Sequence, residues 1–140
     1  ATYDVAAFFA DVREWESFAK IEWPMRYGAQ LDERCWAVPS GRPPEPIAWD
    51  MRGHVYEFSK ACEMVGQEIE DGEFTHDGHP ATARHVTNAR RREYRDAVGI
   101  GKESAGSPRK IDAAVCVVGA RMVRRIVLAN APAKRSGMVW

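Results

Sequence analysis

Between His54 and Asp71, the residues Val55, Phe58, Cys62, Val65 and Ile69 recur at steps of three and four, and Gly72 follows directly. Steps of that size gather side chains on one face of an α-helix, where a strand would need strict alternation. The glycine stands where a helix ends in a left-handed C-terminal cap. A second stripe, Ile111, Val115, Val118, Met122 and Ile126, predicts another helix over 109–129. An apolar helix face needs a core to bury it. At 140 residues and 45% hydrophobic, the chain is long enough to build one such core and too short to expect two.

The rest of the chain reads as the strands and short helices of an α/β fold. TYDVAAFFAD, residues 2–11, is a run of β-branched, aromatic and small apolar residues that suits a buried strand of a mainly parallel sheet, with Asp11 at its carboxyl end. Residues 12–27 place Val12, Trp15, Phe18 and Ala19 at helical spacing before Pro24 and Gly28 break the pattern. ERCWAV, 33–38, reads as a strand, and SGRPPEP, 40–46, as a loop stiffened by proline. FTHDGHP, 74–80, has turn chemistry, and 81–92 reads as a short helix with a basic tail. AVGIGKE, 97–103, is a weak strand or hairpin leading into the loop SAGSP. The organisation expected is a single domain over 1–130 and a loosely ordered tail over 131–140. Trp15, Phe18, Trp36 and Phe58 are expected in the core, with Trp36 or Trp49 the aromatics that an exposed partner contact would use.

Charge is divided unevenly along the chain. Residues 1–81 carry 7 Lys/Arg against 16 Asp/Glu, while residues 82–140 carry 13 against 4, so a net charge of zero conceals −9 followed by +9. The basic half either meets a polyanion or pairs with the acidic half, and charge alone leaves both readings open. No apolar run reaches the roughly 18 residues of a membrane span, and the first residues lack the basic start and cleavage site of an export signal. Cys35, Cys62 and Cys116 are odd in number and contain no CxxC pair, so buried free thiols are expected.

The chemistry concentrates in SPRKIDAAVCVVGARM, where Asp112 opens the last helix at one edge of its apolar stripe. A carboxylate in the first turn is favoured by the helix dipole by about 0.3–1 kcal/mol, which alone accounts for an acid there. Lys102, Ser107, Arg109 and Lys110 just upstream add a second reading, a metal-binding carboxylate beside phosphate-binding side chains. Two-metal phosphodiester hydrolysis needs carboxylates converging from separate elements, because Mg2+ and Mn2+ are hard cations that take oxygen ligands. Asp11 is the second contributor expected. The small residues Cys116, Gly119 and Ala120 would let this part of the helix approach a neighbour closely. Other chemistries fit less well: the His76/His79 pair lies in a turn and lacks the glutamate of HExxH, no GxSxG elbow supports Ser104 or Ser107 as a nucleophile, and GIGKESAGSPRK lacks phosphate-loop spacing. Turn and cap hydrogen bonding is the expected work of the histidines.

Four separate pieces, His76-Asp77-Gly78-His79-Pro80, His85-Val86-Thr87-Asn88-Ala89, Gly101-Lys102 and Lys110-Ile111-Asp112-Ala113-Ala114-Val115, occur in an order and spacing that resembles the C-terminal nuclease region of the large terminase subunit of tailed bacteriophages. The VAAFFADVREWES segment looks like the strand-acid-helix element of that family, so the similarity covers most of the chain. The resemblance implies an RNase H-like α/β fold, a partial mixed sheet flanked by helices. It implies a metal-dependent endonuclease that cuts double-stranded DNA during packaging in the host cytoplasm. By carry-over, Asp11 and Asp112 are the catalytic, metal-binding carboxylates for Mg2+ or Mn2+, while Lys102, Arg109 and Lys110 lie near the DNA. His85, Asn88 and His76 support the site. The partners implied are the remainder of the large terminase chain, the portal or the small terminase, and no membrane.

Two features of the family are missing from this sequence. No GxxxxGK[ST] motif of the ATPase motor occurs, and no strand bearing a first catalytic aspartate precedes residues 2–11. Asp4 lies seven residues from Asp11, an odd offset that points it to the other face of a strand. The expectation is therefore a fragment, or a short stand-alone descendant, with weak or no nuclease activity in isolation. The alternative is a non-catalytic DNA-binding or phage assembly module on the same fold.

Overall fold

The computed structural model describes residues 14–27, 36–37, 45–46 and 53–129, and over these the chain is a mixed α/β protein. A π-helical stretch, Phe18–Glu22, runs directly into helix α1, Trp23–Tyr27. Two-residue strands β1, Trp36–Ala37, and β2, Glu45–Pro46, pair antiparallel. Helices α2, Val55–Glu70, and α3, Pro80–Asn88, precede a hairpin of β3, Arg90–Tyr94, and β4, Ala97–Gly101, and helix α4, Asp112–Ala129, follows. Both sheets among the described residues are two-stranded and antiparallel. The strand expected over 2–11, with Asp11, lies outside the described residues, as does the tail over 131–140.

Helix α2 ends as its sequence predicts. Gly72 takes φ 73°, its N–H donates to Ile69 O, and the Glu73 N–H donates to Glu68 O, the paired bonds of a Schellman cap. Its buried face is Phe58, Ala61 and Val65, which meet Val118 and Met122 of α4, with Cys62, Ile100, Val115 and Ile126 packed around them. Each large apolar side chain buried there contributes about 1.5–3 kcal/mol relative to exposure. Val55 and Ile69, expected on the same stripe, are exposed.

The same helix covers the edge of β4 that β3 leaves open. Glu63 Oε1 accepts the Val98 N–H at 3.0 Å, and Cys62 and Ile100 both pack against the core cluster. Gly99 permits this approach: a Cβ there would stand 2.8 Å from Ser59 Oγ. At the hairpin tip Arg95 adopts φ 58° and its guanidinium lies 5.5 Å from the Tyr94 ring centroid and 5.7 Å from that of Tyr56. Tyr56 and Lys60 both reach Asp96, which ties the turn to α2.

Four expectations are corrected. The basic tail of the helix expected over 81–92 is instead strand β3: α3 stops at Asn88, Ala89 is extended, and Arg90 Nη1 folds back onto Thr87 O and Ala89 O. Residues 90–94 are drawn into extended form because β4 offers them a complete ladder, Arg90 opposite Gly101 through Tyr94 opposite Ala97. Trp15 and Phe18 are exposed rather than core, their rings 5.9 Å apart at a helical i, i+3 step, so each shields the other. Pro24 does not stop the helix. The π-helical turn before it, closed by Trp23 N–H to Phe18 O, shifts the bonding pattern where proline has no N–H to give. The loop expected over 40–46 contains β2, which pairs with the short part of the 33–38 strand that is described. The side chains of Trp36 and Trp49 lie outside the described residues.

Candidate functional site at the head of helix α4

Of the pieces of sequence that carry the chemistry, the C-terminal part of α3 and the segment around Asp112 meet where α4 begins, and the HDGHP turn stands at the other end of α3. His76 Nδ1 accepts the Gly78 N–H at 3.0 Å, Asp77 Oδ1 accepts the His79 N–H at 2.9 Å, and His79 Nδ1 accepts the Ala81 N–H at 3.2 Å. Gly78 turns at φ 73° and Pro80 occupies the first helical position, so HDGHP is a tight turn that becomes the N-cap of α3. This is the turn and cap bonding expected of these histidines, and His76 also lines the groove described below.

Helix α3 then holds the start of α4. His85 Nδ1 accepts the Ala113 N–H at 2.9 Å, and Asn88 Nδ2 donates to the Lys110 carbonyl at 3.0 Å. The two side chains are three residues apart and so lie on one helix face. Between their attachment points sit buried Ile111 and exposed Asp112. A helix start leaves N–H groups without intrahelical acceptors, and His85 satisfies one of them from a neighbouring helix. Asp112 is thereby carried on a segment fixed on both sides, with its carboxylate toward solvent.

The loop between β4 and α4 is tied down at its other end by Arg92. Its Nη2 donates to the carbonyls of Lys102 and, at 3.0 Å, of Glu103, while its stem crosses Gly101, where an added Cβ would meet Arg92 Cγ at 2.8 Å. Within the loop Ser107 Oγ accepts the Arg109 N–H at 3.2 Å, and Arg109 pairs with Glu103 at 3.5 Å. Lys102 is half-buried, and Arg109 and Lys110 are exposed. No carboxylate among the described residues forms an ion pair with Lys102 or Lys110.

Sequence reasoning missed the ion cluster that sets α4 against α2. Arg121 Nε donates to Glu68 Oε2 at 2.9 Å, and Arg125 Nη2 donates to Glu68 Oε1. Arg121 also stands 5.8 Å from the Phe74 ring centroid. Burial works to raise the Glu68 pKa, but the hydrogen bonds from Arg125 and Arg121 and their charges outweigh it and hold the carboxyl below its ordinary value. Such a cluster fixes which turn of one helix faces which turn of the other. It also means that part of the basic half is neutralised by the acidic half. The available signal was Glu68 flanking the α2 stripe and Arg121 and Arg125 one turn apart on α4.

The thiols divide. Burial pushes the Cys62 thiol up to about 11, while Cys116, expected to be buried, is exposed because α4 turns that position away from α2. Ala120, expected to permit close approach, is exposed as well, and Gly119 is buried. An open groove of about 670 Å3 runs between α2, α3, the hairpin and α4, lined by Cys62, Ile69, Phe74, Val86, Arg91 and Val117 among others.

For a divalent cation, the described start of α4 offers one carboxylate, Asp112. No group of three or more His, Cys, Asp or Glu side chains among the described residues could hold an ion, and Asp11 lies outside them. No helix among the described residues is long and apolar enough to cross a membrane.

No family model matches the chain, and no solved structure matches it. It is 40% identical over 140 residues to the Gene 13 protein of Mycobacterium phage L5 and 38% identical over 138 residues to the Gene 13 protein of Mycobacterium phage D29. These matches cover 99% and 98% of the chain but 22% of each relative, so the chain spans about a fifth of the length of the curated relatives it matches. The similarity supports a bacteriophage origin for the chain, along a stretch of two longer phage proteins.

Proposed function

We propose that the chain is part of the nuclease region of a phage DNA-packaging terminase, with an RNase H-like fold, acting on double-stranded DNA in the host cytoplasm. The observation that carries this reading is the support of the head of α4: α3, started by the HDGHP turn at its other end, holds both sides of Asp112 through His85 and Asn88, and the hairpin leads into the loop that carries Lys102 and Lys110. Four pieces scattered over 40 residues of sequence form one connected support for a carboxylate and two lysines that no carboxylate among the described residues pairs with. Exposed Lys110 and half-buried Lys102 on the loop that leads to an exposed acid suit a phosphodiester backbone and a Mg2+ or Mn2+ ion shared between the two. Asp112 is one ligand of that ion and Asp11 the second. The first acid of the family's set is supplied from outside these 140 residues, as are the ATPase motor and the contacts with portal or small terminase. With an incomplete ligand set, cleavage by this chain alone is weak or absent.

Plasmid nicking with Mn2+ tests the reading. The chain alone nicks poorly, and a longer protein carrying the same segment loses cleavage on Asp112→Asn. Robust cleavage by the 140 residues alone would mean the first ligand is misassigned. Unaltered cleavage in the longer Asp112→Asn protein would remove Asp112 from the site. Salt-sensitive duplex binding that ignores both chelator and Asp112→Asn favours the alternative, a non-catalytic DNA-binding or assembly module.

A further inference from the structure

We propose that Arg92 is a positioning residue that presents the 102–110 loop to the DNA backbone, rather than one of the arginines that touch phosphate. This rests on the DNA-binding reading above and assigns a role to one member of the Arg90-Arg91-Arg92 run that composition alone would count as a phosphate contact. Three observations together give Arg92 this role, although Arg90 also bonds backbone carbonyls, those of Thr87 and Ala89 next to it in sequence. The Arg92 guanidinium gives its donors to backbone carbonyls, those of Lys102, Glu103 and Arg91, and to no carboxylate among the described residues. Its stem is routed across Gly101, where the absence of a Cβ leaves room for it. The loop it grips is held again at its far end by Asn88 on the Lys110 carbonyl and by His85 on the Ala113 N–H.

The consequence is a preorganised loop. Lys102 is fixed at one anchor and Lys110 at the other, so the two ammonium groups meet a duplex without first ordering the chain between them. Arg92 Nη2 reaches the two adjacent carbonyls and Nη1 the carbonyl of Arg91, so three acceptors are engaged from two nitrogens of one plane, which the single nitrogen of a lysine ammonium does not reproduce. Arg92→Lys therefore keeps the charge and removes the grip. Lys102→Ala does the reverse, leaving the anchor, which uses the Lys102 backbone carbonyl, and deleting one phosphate-facing charge.

Salt titration of duplex binding separates the two roles, because each phosphate neutralised contributes about −0.9 to the slope of log affinity against log salt. Lys102→Ala is expected to flatten the slope by about that amount. Arg92→Lys is expected to weaken affinity about tenfold at every salt concentration with the slope unchanged, the loss of order one charge-assisted hydrogen bond. Limited trypsin digestion of the free chain supplies a readout without DNA: cuts after Arg109 and Lys110 accelerate in Arg92→Lys and not in Lys102→Ala. Affinity and cutting both at the unsubstituted level in Arg92→Lys would overturn the proposal, as would an Arg92→Gln variant that flattens the salt slope as Lys102→Ala does. If the unsubstituted chain shows no salt-dependent duplex binding, the DNA reading fails while accelerated trypsin cutting still identifies Arg92 as the loop's anchor; unchanged cutting then refutes both.

Discussion

The contact between Gly99 and Ser59 determines whether α2 can lie against β4, and Gly99→Ala tests it with a magnitude that follows from distances. The new Cβ would stand 2.8 Å from Ser59 Oγ, 3.5 Å from Ser59 Cβ and 3.7 Å from Ser59 Cα. The first distance is a clash and the other two are ordinary contacts. Ser59 cannot step aside cheaply, because its side chain is 2% exposed and its Oγ donates to Val55 O at 2.8 Å. Overpacking of this kind costs about 1–3 kcal/mol. Replacing glycine inside a strand would by itself favour the folded state by about 0.5–1 kcal/mol, so the clash prevails and Gly99→Ala destabilises. Removing the offending oxygen reverses the effect: Ser59→Ala costs at most about 1 kcal/mol for the lost hydrogen bond, and the double variant recovers most of the Gly99→Ala loss. The assay is urea unfolding of all four proteins, read as a double-mutant cycle with a coupling of about 1–2 kcal/mol. A Gly99→Ala protein as stable as the parent, or single effects that simply add, would refute this account of how the hairpin is seated.

Two further predictions concern groups whose titration the fold alters. Because Glu68 is held below its ordinary pKa when folded, the stability it supplies is complete above the unfolded carboxyl value of about 4.3 and is lost as pH falls through the lower folded value. Stability of the parent chain should therefore fall on acidification below that point, and Glu68→Gln, already weakened at pH 7, should show a shallower fall; parallel curves would contradict the clamp. In a Cys35→Ser background at pH 8, exposed Cys116 should react with a thiol reagent in a fast phase and Cys62, whose thiol is pushed up to about 11 by burial, in a slow one. Equal rates would show that the α2–hairpin seam is open.

What the sequence disclosed and what it withheld follow one physical division. The cap at Gly72, the turn His76–Pro80 and the apolar stripe of α4 are settled within a few residues by backbone stereochemistry and by side chains bonding their own neighbours, and each is found as expected. Arg90, Arg91 and Arg92 have no apolar period to betray a strand; they become one because β4, brought against α2, presents a ladder. Trp15 and Phe18 have the composition of core residues, but composition does not say whether a helix face meets another element. Of the site, the identity of Asp112 and its basic neighbours was legible, while the hands that hold it were less so. His85 reaches a backbone N–H 28 residues away and Glu68 reaches arginines 53 and 57 residues away, partnerships that only the folded chain creates.

The central claim is that Asp112 is a divalent-cation ligand at the head of α4, and weak binding is enough to test it. Mn2+ titrated into 15N-labelled protein broadens amide signals within about 10–15 Å of a bound ion by paramagnetic relaxation, and its preference for oxygen ligands makes carboxylates its targets. The account predicts broadening centred on the amides of Lys110, Ile111, Asp112 and Ala113, reaching His85, and its disappearance in Asp112→Asn. Broadening centred elsewhere, or a pattern at α4 that survives Asp112→Asn, would contradict it.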